Sequence, residues 1–185
     1  MFLRYLKDLL QLLLSPRNGW EDVSYDGYDA HQLFKSGFLP FVALAGLSVL
    51  CKWFYHADAS LVVLFQQAII GFVKFFASYY LASFFFSWYM PMCTDGTVSM
   101  NKCHTLIMYS LSAVALIDML QNCMPMELSL AYLLPMYVWY IMWRGLRYMA
   151  VSFNGVVTYM ILCILTITVP PYLLQYLFNM IVPEY

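Results

Sequence analysis

The chain has 185 residues, 63% of them hydrophobic and only 10% charged, with a formal net charge of −1. Soluble domains carry roughly a quarter charged residues, and a single core of this size cannot hide so much apolar surface from water. Composition therefore excludes a soluble globular protein and makes lipid the solvent for much of the surface. The absence of a basic excess or a basic cluster excludes nucleic acid as a partner.

In the first run, MFLRYLKDLLQLLL, Arg4, Lys7, Asp8 and Gln11 recur at i, i+3, i+4 and i+7 among apolar residues. That spacing predicts an amphipathic helix lying in the headgroup plane. Lys7, Asp8 and Gln11 interrupt the apolar run and no small-residue cleavage site follows, so it is not read as a signal peptide. Pro16 and Gly19 are expected to end this helix, with Trp20 in the aromatic belt. The stretch SPRNGWEDVSYDGYDA, Ser15 to Ala30, holds four of the ten acidic residues. It reads as an acidic linker that either stands off anionic lipid or folds onto the bundle as a docking surface. Asp22, Asp26 and Asp29 do not match calcium-loop spacing.

A spanning helix needs roughly 20 apolar residues, because each adds 1.5 Å towards about 30 Å of hydrocarbon. Five segments are expected to span, at about 38–55, 61–90, 103–122, 128–143 and 153–181. The last is read as one span kinked at Pro170-Pro171. The fold expected is all-α, an integral membrane five-helix transmembrane bundle preceded by an N-terminal amphipathic interfacial helix. Residues 1–37 would form the cytoplasmic part and 38–185 the transmembrane domain. Arg4, Lys7, Arg17, Lys35, Lys102, Arg144 and Arg147 then fall on one side and only Lys52 on the other. The positive-inside rule puts the N-terminus in the cytoplasm and the C-terminus outside.

The pieces LLLSPRNGWEDV, FLPFVALAGLSVL and YVWYIMWRGLRYM, in this order and spacing, resemble the Ypt-interacting-protein (YIP) family, in particular its short bacterial members. The residues carrying the resemblance are Pro16 and Trp20, then Pro40, then Tyr137, Tyr140 and Gly145. It implies five spans, a cytoplasmic N-terminus, a bacterial cytoplasmic (inner) membrane, and a role in membrane organisation. Eukaryotic members are linked to vesicle trafficking and Rab-type GTPases through longer N-terminal regions than the one here.

An ionisable group near the bilayer centre costs at least a few kcal/mol, which makes Lys74 and Asp118 candidates for a polar site together with Gln66 and Gln67. With each span centred on the bilayer, Lys74 and Asp118 differ in depth by roughly 10 Å. Two readings stand: a structural pair fixing helix register, or a polar pathway of a small transporter or channel subunit. Arg144 and Arg147 share a helix face and, with Trp20 and Asp22, form a candidate cytoplasmic face for lipid or a partner protein. The bland reading of the two arginines is an orientation signal; the sharper one is bidentate contact to lipid phosphate.

Met90, Met92, Cys93, Met100, Cys103 and His104 gather around the second loop, and soft ligands of this kind suit Cu(I). Thirteen methionines make such clustering expected by chance, so no metal or cofactor is assigned. Five scattered cysteines without a CxxC pair argue against a disulfide scaffold. No hydrolase, protease or nucleotide-binding motif is present, so an enzyme is not expected. The function expected is that of a non-enzymatic membrane-organisation or adaptor protein in the lipid bilayer that binds a cytoplasmic partner or lipid, with a cytoplasmic protein or a second copy of the chain as the expected partner.

Overall fold

The structure, a computed structural model, describes residues 1–55, 60–93, 99–124, 134–151 and 155–181. Among these residues all regular structure is helical. Two short N-terminal helices, α1 (Phe2–Leu14) and α2 (Pro16–Asp26), precede α3 (Ala30–Phe54), α4 (Leu61–Cys93), α5 (Met100–Cys123), α6 (Leu134–Arg144) and α7 (Val156–Ile181). Four of them, α3, α4, α5 and α7, are long and apolar enough to cross a membrane.

The bundle is organised around α5. Leu106, Ile107, Met108, Tyr109 and Leu111 are fully buried, and α1, α3, α4, α6 and α7 all pack against this helix. The other long helices turn large apolar side chains outward, among them Phe65, Ile69 and Phe84 on α4 and Val157, Ile161 and Leu165 on α7. An interior helix wrapped by helices with apolar outer faces is the inverse of a soluble fold and suits a lipid solvent.

Backbone approach between α3 and α4 depends on Gly46 and Gly71. A Cβ at Gly46 would lie 2.8 Å from the Ala68 carbonyl oxygen, and one at Gly71 would lie 3.3 Å from Gly46 Cα. Small residues at such a crossing let dispersion contacts replace a hydrophobic drive that lipid does not supply.

Two prolines inside long helices are met by the same device. The π-helical turn Phe34–Phe38 ends just before Pro40, and the π-helical turn Ile164–Thr168 ends just before Pro170. Proline lacks an N–H and its ring clashes with the carbonyl four residues back; a widened turn moves that carbonyl aside, so the helix continues. The expected single last span is thus continuous through Pro170-Pro171. The first spanning helix starts at Ala30, eight residues before the expected start, because its π turn carries the helix through Lys35 and Gly37.

The expected span at 128–143 falls partly on residues outside those described. Its described part, α6, has 11 residues, about 16 Å of helix, roughly half the hydrocarbon thickness.

At the N-terminus the structure corrects two expectations. The polar stripe of α1 is split: Asp8 turns inward with Tyr5, Leu9 and Leu12, while Leu3, Lys7, Leu10 and Leu14 face outward. Residues after Ser15 are a second helix rather than a linker. Pro16 occupies the first turn of α2, where its missing N–H costs nothing. Gly19 lets α2 fold back tightly, since a Cβ there would lie 2.8 Å from Leu12 Cα. Gly27, at φ 58°, ends α2 in the left-handed conformation that glycine adopts without penalty.

Candidate functional site

Trp20 is the anchor of the N-terminal hairpin, not a belt residue. It is 3% exposed, its indole Nε1 donates to the Ile141 carbonyl at 2.9 Å, and its ring stacks on Tyr148 with centroids 5.2 Å apart. The Tyr109 ring meets it edge-on at 6.3 Å. Tyr137 adds a hydrogen bond from its hydroxyl to the Leu13 carbonyl. The two segments Pro16–Trp20 and Tyr137–Gly145, far apart in the chain, therefore pack on one another.

Beside Trp20 lies an open groove of ≈ 410 Å³. One wall is the face of α2 that carries Arg17, Glu21 and Ser24; the other is Trp143, Arg144 and Arg147 at the end of α6 and in the turn after it. Trp20 and Tyr148 line it between them. Three arginines and one acidic residue, Glu21, thus line the groove, with Glu21 3.7 Å from Arg17. Arg144 is held in place by the Tyr140 hydroxyl, to which its Nε and Nη2 both donate, at 3.0 and 2.9 Å. Planar guanidinium donors beside aromatic surface are suited to a phosphate or carboxylate, and the excess of arginines over Glu21 favours an anion.

Of the residues expected on this face, Trp20, Arg144 and Arg147 line the groove, and Asp22 does not. Asp22 points back to α1, where it accepts a hydrogen bond from Gln11. Arg17, Glu21 and Ser24 were not singled out by sequence. Their i, i+4, i+7 spacing is the signal that they share one helix face, legible only once 16–26 is recognised as a helix.

The second polar feature is the pair Lys74–Asp118, which the structure brings into direct contact between α4 and α5. Their side chains are 10% and 16% exposed. Lys74 Nζ also lies 5.0 Å from the centroid of the Phe75 ring, and Ser78 Oγ donates to the Lys74 carbonyl at 2.6 Å. Gln67 is buried on the same helix, whereas Gln66, one residue and about 100° round the helix, is exposed and does not join the pair.

A third cluster docks α1. Asp8 Oδ2 accepts hydrogen bonds from Tyr28 at 3.2 Å and Tyr109 at 3.3 Å, while Tyr5 and Ser112 share one at 2.7 Å. At the rim Arg4 pairs with Asp26 at 2.7 Å. Desolvation raises the Asp8 carboxyl above its ordinary value, reinforced by Asp26 and opposed by the Tyr28 and Tyr109 hydroxyls and by Arg4. A carboxyl whose folded pKa is raised stabilises the fold in its protonated form. Its contribution is full below the ordinary carboxylate range and is lost as pH rises through the folded value. The thermal unfolding midpoint should therefore fall as pH rises from about 4 to 7, and Asp8→Asn should flatten that slope. A slope unchanged in the variant would assign the dependence elsewhere.

The soft side chains around the second loop differ in burial. Met90, Cys93 and Cys103 are buried, Met92 and Met100 are exposed, and His104 Nδ1 is within hydrogen-bond reach of the Tyr79 and Ser83 hydroxyls. Among the described residues no group of three or more His, Cys, Asp or Glu side chains is placed to hold a metal. Comparison with protein-family models, with curated proteins and with solved structures returns no match.

Proposed function

We propose that this chain is a non-enzymatic multi-pass membrane protein of the YIP class that organises membrane by holding an anionic lipid headgroup in the groove between α2 and the end of α6. The N-terminus is cytoplasmic, the C-terminus outside, and five spans are formed, with α6 as part of the fourth. The resemblance to short bacterial YIP members, and the inner membrane it implies, rest on the order and spacing of their motifs in the sequence.

The observation that carries the reading is the convergence of Arg17, Arg144 and Arg147 on one aromatic-lined groove. Lipid is favoured over a protein partner by what surrounds it. Trp143, 48% exposed, and the exposed rings of Tyr137 and Tyr140 lie on the same short helix as Arg144. Amphipathic rings and arginines together mark the level where headgroup phosphates sit. The direct pairing of Lys74 with Asp118 supports a structural role for that site over a transport pathway, because each charge is spent on the other.

The test is lipid retention. Protein reconstituted in nanodiscs of mixed phosphatidylglycerol and phosphatidylcholine, then released into mild detergent, should carry phosphatidylglycerol in preference by native mass spectrometry. At about 1 kcal/mol per arginine, the double variant Arg144→Ala/Arg147→Ala should lower that preference about thirtyfold. Equal retention of both lipids by the unaltered protein rejects the reading.

A further inference from the structure

Cys51 lies in the 3₁₀ turn Ser48–Phe54 that ends α3, and Cys123 is the last residue of α5. Seventy-two positions apart in sequence, they are neighbours in space, with Sγ atoms 3.7 Å apart. The two helix ends are fastened side by side on either side of the sulfurs. Asn122 Nδ2 donates to Ser48 Oγ at 3.0 Å, and the Tyr55 hydroxyl donates to the Cys123 carbonyl at 3.1 Å. Both cysteines are partly exposed, whereas Cys93, Cys103 and Cys163 are buried.

From this geometry we infer that Cys51 and Cys123 form a disulfide that ties the first and third spans together on the face opposite the arginine groove. A disulfide needs its sulfurs about 2.05 Å apart, so each must move in by about 0.8 Å, within reach of a side-chain rotation. The compartment follows from the orientation given under the proposed function, on which this inference rests. With a cytoplasmic N-terminus, α3 and α5 both end on the outer face, where disulfides persist.

The chemistry is thiol–disulfide exchange with an exogenous disulfide, carried by a thiol-oxidising protein or a small oxidised thiol. One cysteine thiolate attacks that disulfide, forming a mixed disulfide and releasing one reduced thiol of the oxidant. The second thiolate then attacks the protein-side sulfur, closing Cys51–Cys123 and releasing the other thiol. Two electrons and two protons leave the pair, and the oxidant's disulfide is reduced to two thiols.

Differential alkylation of the full chain in its native membranes tests this. Thiols are blocked with N-ethylmaleimide under denaturation, then the sample is reduced, labelled with iodoacetamide and mapped by peptide mass spectrometry. The expected result is that Cys51 and Cys123 alone carry the second label, and that in Cys51→Ser the Cys123 thiol carries the first. A second arm treats intact cells making Cys51→Ser with a membrane-impermeant maleimide, which should label Cys123. If Cys123 is labelled from outside but all five cysteines of the unaltered protein take N-ethylmaleimide before reduction, the disulfide is overturned and the orientation stands. If impermeant reagent does not reach Cys123, the orientation falls, and the disulfide with it unless the second label still marks both cysteines.

Discussion

Lys74→Leu alone should destabilise the protein by about 3–5 kcal/mol, the effect of leaving one partner of a buried ion pair uncompensated. The basis is the direct contact between Lys74 and Asp118, whose side chains retain little exposure. Removing the ammonium leaves the Asp118 carboxylate without its counter-charge in a low-dielectric interior. Asp118→Asn in the Lys74→Leu background should recover about half the loss, because a neutral amide replaces the stranded charge. The double replacement Lys74→Leu/Asp118→Leu should lie close to the unaltered protein, since two apolar residues substitute for a pair whose desolvation offsets most of its attraction. Reversible unfolding in mixed micelles measures all three. An unchanged midpoint for Lys74→Leu would mean that the pair contributes nothing to holding α4 on α5. Single variants that are both mild but abolish passage of a solute would instead support the transport reading.

This pair also shows how far sequence reasoning reached. The membrane class and three of the long helices were legible to within a few residues, because apolar length in lipid is set by one dimension of the solvent. The 10 Å depth offset assigned to Lys74 and Asp118 came from centring each span on the bilayer. The two helices are consecutive in the chain, however, so position can also be counted from Cys93 and Met100. Lys74 lies nineteen residues from Cys93 and Asp118 eighteen from Met100, each about 28 Å along its helix. The helices differ in length, 33 residues for α4 and 24 for α5, so centring each on the bilayer shifts one register against the other. Counting from the shared loop finds the pair; counting from the bilayer centre hides it.

The segment after Ser15 was misread for a different reason. Pro16, Gly19 and the acidic residues have the composition of a connection, and propensity is a weak prior that tertiary contacts override. What turns it into a helix is Trp20, whose partners Ile141, Tyr148 and Tyr109 lie 89 or more positions away. No local pattern announces such contacts. The groove was half legible on the same account: Arg144 and Arg147 announce themselves by spacing on one element, while Arg17 joins them only through the fold of α2 onto α6.

Trp20→Ala should therefore cost about 3–5 kcal/mol, the range for truncating a fully buried aromatic, and should release α1 and α2 from the bundle. Three losses act together: apolar burial, the ring contacts with Tyr148 and Tyr109, and the indole hydrogen bond to the Ile141 carbonyl. Trp20→Phe separates them. It keeps most of the ring surface and removes the donor, so it should cost about 1 kcal/mol for the lost hydrogen bond, the Ile141 carbonyl keeping its bond from the Gly145 N–H. Limited trypsin digestion reports the undocking directly, because Arg4, Lys7 and Arg17 lie on the hairpin. Cleavage there should accelerate sharply in Trp20→Ala and only slightly in Trp20→Phe. The groove gives an independent reading: with α2 undocked its Arg17 wall is gone, so anionic lipid retention should fall in Trp20→Ala at least as far as in Arg144→Ala/Arg147→Ala. Trypsin resistance and lipid preference both preserved in Trp20→Ala would show that the hairpin is held by the Asp8, Tyr5 and Tyr28 contacts of α1 instead, and that α2 is a passenger on them.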